Sequence, residues 1–314
     1  MNNLFSKEFN ELDPSKIINE VNSKGYFFYP EAVNLNTVKK IEKDLSNQKI
    51  EINNNFVSPV WTNNQYFFTH ALAASKTYYE LVTSKKFRLI AKEKFQKYFR
   101  LKCHRYYETY PSHHMNWHAD NVDNDGKVHE NNGLIFIIYI NDVFDGEFQL
   151  IEGTNLNKNI HERTYNYTDK FVNNNYKEKI KSFKLKAGSI IIYDTWHLHR
   201  AKPIKDKNFT RKSIFMQIDE SPRNAEKILL NPEFFTKDQT NDTELFDYLG
   251  FGNSSDYLPV PVTNSKMLSS KKQLGIVKNS IQSILINLPK AIVKYFLSHD
   301  QITKISEKRR NKYK

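Results

Sequence analysis

His118 and Asp120 stand two residues apart in the stretch NWHADN. On an extended backbone, residues i and i+2 point to the same side, so this imidazole and carboxylate would converge. A third donor has to arrive from another strand. The stretch GSIIIYDTWHLHRAKP, residues 188–203, offers His197 and His199 at the end of an apolar run, again expected on one side. Two imidazoles and one carboxylate suit Fe(II) and leave three adjacent positions open for a cosubstrate and O2. The set does not call for the closed tetrahedron of a structural zinc site. Arg211 follows His199 by 12 positions and opens the stretch RKSIFMQID. A buried guanidinium needs an anionic partner. Its planar fork grips a carboxylate through two hydrogen bonds, so a cosubstrate with a distal carboxylate would meet the need.

The remaining histidines carry less. His70, His104, His113, His114, His129 and His161 have no carboxylate two positions on, and no metal role is expected of them. Trp117 and Trp196 flank the candidate donors. Either could pack in the core or wall a substrate; core packing is the preferred reading for Trp196.

These residues need a frame to hold them. Helical periodicity comes first, at 14–24 with Asp13 or Ser15 as cap, at 35–48, and as two helices across 71–99. A short strand, GYFFYP, lies at 25–30, and 51–67 reads as strand and loop. Strand-like runs dominate after Phe99: 101–111, 133–142, 146–153, 181–188, 189–195 and 211–219. Helices followed by turn-punctuated strands predict an α+β protein whose β half is a sandwich or jelly roll. Residues 154–180 are long, polar and weakly periodic, which fits a lid, a binding loop or a solvated insertion. Residues 221–263 read as irregular, with a helix at 241–249.

Composition sets the limits. A chain of 314 residues, 39% hydrophobic, can bury a sizeable core. With one cysteine, Cys103, neither an intrachain disulfide nor a cysteine-built zinc site is possible, and a reducing, cytoplasmic setting is expected. The first residues lack the apolar run of a secretory signal, and no stretch suggests a membrane span. The net charge of +12 is unevenly placed. Residues 265–314 hold 12 Lys or Arg against two acids, Asp300 and Glu307, whereas the other 264 residues hold 35 against 33. The body is nearly neutral, so no nucleic-acid partner is expected. In the basic tail, Val277, Ile281, Ile284, Leu285, Leu288 and Ile292 fall on one helical stripe, which Pro289 would kink or split. Such a stripe fits packing on the domain, or a contact with a membrane surface or an acyl carrier.

The order of the motifs is informative. WHAD, then YINDVFDGEFQLIEGTN, then KAGSIIIYDTWHLHRAKP, then Arg-Lys-Ser resembles the Fe(II)/2-oxoglutarate-dependent dioxygenase superfamily over roughly residues 15–220. The opening INEVNSKGYFFYPEAVNLNTVKKIEKDL is most similar to the phytanoyl-CoA dioxygenase-like family. YINDVFDGE also resembles the prolyl-4-hydroxylase-like branch, and Ala201 stands where many relatives carry Ser. The resemblance implies a double-stranded β-helix (jelly-roll, cupin-like) core at 1–220, with N-terminal helices on one sheet. An extension packed on the core at 221–264 and a basic helical tail at 265–314 would follow. It implies His118, Asp120 and His199 as iron ligands, Arg211 as partner of the 2-oxoglutarate distal carboxylate, and Tyr106 as a further cosubstrate contact. His199 is favoured over His197 by its place before Arg-Ala-Lys-Pro and its distance from Gly188. The implied reaction uses Fe(II), 2-oxoglutarate and O2 to hydroxylate an unactivated C–H of a small or lipid-like molecule, releasing succinate and CO2. Asp120 separates this from the related halogenases. The alternatives are a peptide-directed prolyl-4-hydroxylase-like enzyme and a non-catalytic jelly-roll binding protein.

Overall fold

The computed structural model describes residues 4–55, 65–68, 70–96, 98–111, 115, 117–120, 132–154, 167–220 and 228–250, with scattered positions between 274 and 301. The chain divides into two compact units, Met1–Val260 and Pro261–Tyr313.

The first unit opens with helices set by their caps. Ser6 caps α1 (Lys7–Glu11), and Asp13 caps α2 (Pro14–Lys24), accepting from Ser15 N at 3.0 Å. Gly25 ends α2 at φ +93°, and β1 (Tyr26–Tyr29) follows. A Cβ at Gly25 would fall 1.8 Å from His197 Nε2, so this glycine is required twice over. Helix α3 runs Leu35–Asn55, longer than the periodicity suggests, and takes in part of the stretch expected as strand and loop. Strand β2 is Gln65–Phe68. Three helices rather than two fill 71–99: α4 (Ala71–Ala74), α5 (Lys76–Val82) and α6 (Lys85–Phe95). The breaks fall at Ser75 and Ser84, whose hydroxyls cap Tyr78 N and Phe87 N. A cap residue inside an apolar periodic run can restart a helix, and periodicity alone misses it.

Then come β3 (Arg100–Thr109), β4 (Gly133–Tyr139), β5 (Phe148–Ile151), α7 (Asp169–Tyr176), β6 (Ile180–Phe183), β7 (Ile190–Asp194), β8 (His199–Ala201), β9 (Arg211–Asp219) and α8 (Thr243–Tyr248). The polar stretch 154–180 therefore holds a helix in its second part; residues 155–166 lie outside the described ones. Six strands form one antiparallel sheet in the order β1-β7-β4-β9-β3-β2, and three form another, β6-β5-β8. A backbone pair between His118 and His199 continues the small sheet past β8.

Alternation along the strands builds two layers. Leu134, Phe136 and Ile138 of β4 join Ile190 and Ile192 of β7 and Ile214, Met216 and Ile218 of β9 in one apolar cluster with α1 to α6. Ile135, Ile137 and Tyr139 point the other way, against Phe148, Leu150 and Phe183 of the small sheet. Such burial, at about 25 cal/mol per Å² of apolar surface, is the main force holding each layer. Residues 228–250 pack on the helical layer: Tyr248 Oη donates to Val82 O at 3.1 Å, and Arg88 pairs with Asp242 at 2.8 Å.

In the second unit, the described positions from 274 to 296 are helical, Leu288 and Pro289 included. Leu274, Val277, Ile281, Ile284, Leu285, Leu288, Ile292 and Phe296 are all exposed, from 49% at Ile292 to 78% at Phe296.

Candidate metal centre

His118 and Asp120 come from the short segment beside β8, and His199 opens β8 itself. His118 N donates to His199 O at 3.0 Å, and His199 N donates back to His118 O at 2.9 Å. This doubly bonded pair puts both imidazoles on one face, with ring centroids 4.4 Å apart. Asp120 N donates to Thr195 O at 3.2 Å, which fixes the carboxylate beneath them. His118 Nε2 lies 3.5 Å from Asp120 Oδ1, and His199 Nε2 lies 3.3 Å from Asp120 Oδ2. One donor atom from each of the three residues falls within 4.8 Å of the others, a group that could hold a metal ion.

Local chemistry prepares the donors. His199 Nδ1 meets the His197 carbonyl oxygen at 3.0 Å, which fixes the proton on Nδ1 and leaves Nε2 as the lone-pair donor. Burial pushes the Asp120 carboxyl up, but His199, His118 and Lys102 outweigh it and hold the group at about 2. Burial pulls the His199 imidazole down to about 4, against the opposing pull of Asp120. At neutral pH the site thus offers a carboxylate and a neutral imidazole, the protonation states that bind metal. Asp120 Oδ2 is buried with no hydrogen-bond donor on it among the described residues, which is costly unless a cation lies close. This donor set fits a divalent metal.

The three residues line a cavity of about 240 Å³ between the two sheets. Arg211 lines the same cavity from the start of β9. It is buried, and its guanidinium donates to Gly146 O and, at 3.3 Å, to Thr109 Oγ1. Burial lowers its pKa, and Tyr139, Glu147 and Tyr107 oppose that. Phe148, Ile137 and Tyr193 supply apolar walls, with Tyr193 and Phe148 rings 4.9 and 5.6 Å from His199.

Two expectations are corrected. Tyr106 does not reach the cavity: it lies in the helical layer with Ile214, its partner across β3 and β9. Strand alternation turns it away and presents Arg105 and Tyr107 to the cavity instead. Nor does His197 share a side with His199. Residues 195–198 form a turn, where Trp196 N donates to Asp194 Oδ1 at 2.8 Å, so the two-residue strand rule does not reach across them. The His197 ring packs against Gly25, and only its carbonyl serves the site.

The tryptophans stay out of the cavity. Trp196 is buried, with Nε1 3.3 Å from Asn132 Oδ1, and Trp117 lies on the outer face of the small sheet. His104 sits on the helix side of β3 beside Tyr78, and burial lowers its pKa to about 3. His113, His114, His129 and His161 lie outside the described residues. Sequence reasoning missed Arg105, Tyr107, Tyr139 and Ser213. Once Arg211 is taken as inward, parity on β9 marks Ser213, but residues on β3 and β4 need the strand pairing.

Comparison with solved structures finds this fold elsewhere. HygX from Streptomyces hygroscopicus, with nickel and 2-oxoglutarate bound, matches with a TM-score of 0.51 at 13% identity, covering 68% of this chain and 90% of that one. With hygromycin B also bound, it matches at 0.53 and 11%, over 68% and 90%. SnoK, a non-heme alpha ketoglutarate dependent carbocyclase from nogalamycin biosynthesis, matches at 0.51 and 11%, over 67% and 85%. At these identities the likeness is one of fold. No family model matches the sequence, and no curated protein sequence matches it.

Proposed function

We propose that this protein is a non-haem Fe(II)- and 2-oxoglutarate-dependent oxygenase that hydroxylates an unactivated C–H bond of a small or lipid-like molecule, with release of succinate and CO2. The observation that carries the reading is the convergence of His118, Asp120 and His199 in a cavity that Arg211 also lines. Fe(II), when held there with 2-oxoglutarate, supplies the oxidative chemistry with O2. The chain does the rest. His118, Asp120 and His199 would hold the metal. Arg211 pairs with the distal carboxylate of the cosubstrate. Ile137, Phe148 and Tyr193 keep water from the reacting centre. Two neighbours of this fold are bound to, or named for, 2-oxoglutarate and a small-molecule setting, which supports the same class here. Placement among phytanoyl-CoA dioxygenase-like proteins rests on the motif order and the N-terminal stretch of the sequence.

The test is succinate release from 2-oxoglutarate across a metabolite panel, anaerobically loaded with Fe(II), followed by mass analysis of the product. Gain of one oxygen supports hydroxylation. Loss of two hydrogens without oxygen gain replaces it with ring closure or desaturation. Failure of the wild type to bind either Fe(II) or 2-oxoglutarate ends the enzyme reading.

The second unit supports a further partner, an anionic membrane surface. An exposed apolar stripe runs through residues 265–314, which hold 12 basic residues and two acids, and each basic residue near such a surface contributes about 1 kcal/mol. No helix among the described residues is long and apolar enough to cross a membrane. The full chain should sediment with vesicles containing phosphatidylglycerol and release in high salt. Equal, salt-independent sedimentation with neutral vesicles would overturn this.

A further inference from the structure

We infer that Asp169 is a positioning residue for the metal site, acting from behind the sheet that carries the donors; the inference rests on the metal-site reading above. His118 and His199 face the cavity, so the residues beside them, Trp117 and Arg200, face outward. Asp169 is the first residue of α7 and reaches both. Its Oδ1 accepts from Trp117 Nε1 at 3.0 Å and from Arg200 Nη1. The Arg200 guanidinium lies over the Trp117 ring, 4.4 Å from its centroid. Arg200 Nε donates to Gln149 Oε1 of β5 at 2.9 Å, and Gln149 Nε2 donates to Ser182 Oγ of β6 at 2.7 Å. Side chains thus tie three strands and the Trp117 segment across the outer face, and Asp169 closes the end of that tie nearest the donors. Backbone contact seats it: Tyr167 N donates to Trp117 O at 2.8 Å.

The reason such a brace matters is the weakness of the joint beneath it. His118 and His199 come from distant parts of the sequence and meet in an isolated backbone bridge, extended only by the Asp120 N–Thr195 O hydrogen bond and not by a ladder. So short a joint leaves the donors room to shift, whereas a metal tolerates only about 0.2 Å of error in its donor distances. Pinning Trp117 to Arg200 on the far face removes the remaining freedom. Asp169 is itself 47% exposed, so its ion pair adds little to global stability. Its loss should therefore show in metal affinity and not in folding; partners bonded directly to metal ligands weaken binding by about 10- to 100-fold when removed, and Asp169, acting through the residues beside the ligands, should fall at the low end of that range.

The experiment is anaerobic titration of the metal-free full chain with Co(II), read by its visible spectrum, beside thermal unfolding of the same samples. Asp169→Ala should bind Co(II) about tenfold more weakly, with an altered spectrum and a nearly unchanged unfolding midpoint. Asp169→Asn keeps an acceptor for Trp117 Nε1 but loses the charge facing Arg200, and should fall between. Two results overturn the inference: Asp169→Ala binding within about twofold of the wild type with the same spectrum, or a loss of affinity matched by a loss of fold. If the wild type itself binds no Co(II), the metal-site reading fails and takes the inference with it, an outcome distinct from either of those.

Discussion

Tyr106 and Tyr107 are chain neighbours of one type on one strand, yet they live in different chemistry. Tyr106 is buried among the helices, and its hydroxyl finds no hydrogen-bond partner among the described residues. Tyr107 lines the cavity, and its hydroxyl accepts from Arg105 at 3.0 Å. The same division runs across the whole large sheet. One face meets the helices through a continuous apolar cluster. The other shows Arg105, Tyr107, Tyr139, Arg211 and Ser213 to the cavity. One sheet therefore has two unlike faces, an apolar one that holds the fold together and a polar one that lines a cavity. A substitution's consequence depends on parity along the strand more than on residue type.

That division can be tested by substitution, and the largest effect should come from the metal donors. Asp120→Ala removes the charged donor and should abolish 2-oxoglutarate turnover, with Co(II) affinity falling by more than the ~100-fold seen for outer partners. In the metal-free variant, loss of the pull that His199, His118 and Lys102 exert on the carboxylate is set against relief of a buried charge, so the unfolding midpoint should move far less than in a core truncation. A loss of stability as large as that of a core truncation would mean that the cavity side also carries the fold. Phe136→Ala tests the other face. Phe136 is fully buried, with its ring 5.0 Å from Phe87, and its truncation should cost roughly 3–5 kcal/mol in chemical denaturation while leaving metal affinity intact.

Arg211→Ala should raise KM for 2-oxoglutarate by roughly 10- to 100-fold, the value of a charge-assisted hydrogen bond of about 1.5–3 kcal/mol. Arg211→Lys should recover only part of this, since an ammonium cannot form the fork. The smallest effects separate the two tyrosines. Tyr106→Phe deletes an unsatisfied buried hydroxyl and should leave the unfolding midpoint equal or slightly higher, with KM unchanged. Tyr107→Phe should leave the midpoint alone and shift KM. If both variants shift KM alike, the division between faces is wrong.

Much of the frame was legible from the chain. The apolar runs of β4, β7 and β9 and a cap at Asp13 or Ser15 could be read from residue types, because burial and capping act locally. So could His118 and Asp120, whose two-residue spacing on extended backbone needs nothing further. Legibility ended where a turn or a pairing intervened. His197 obeyed a turn that begins at Asp194, not the strand beyond it. Tyr106, expected at the cavity from the family resemblance, faces the helices; β3 is rich in β-formers on both faces, and composition does not reveal which face is which.

The sequence by itself determined the donor types, the order in which they occur and the elements that carry them, since these follow from side-chain chemistry and local periodicity. Only the tertiary structure decided which residues meet. The His118–His199 bridge, the inward parity of Arg105, Tyr107 and Arg211, and the reach of Asp169 to the back of the site all depend on strand register. Register is fixed by packing between segments far apart in the chain, and a shift of one residue would have turned every one of them to the opposite face.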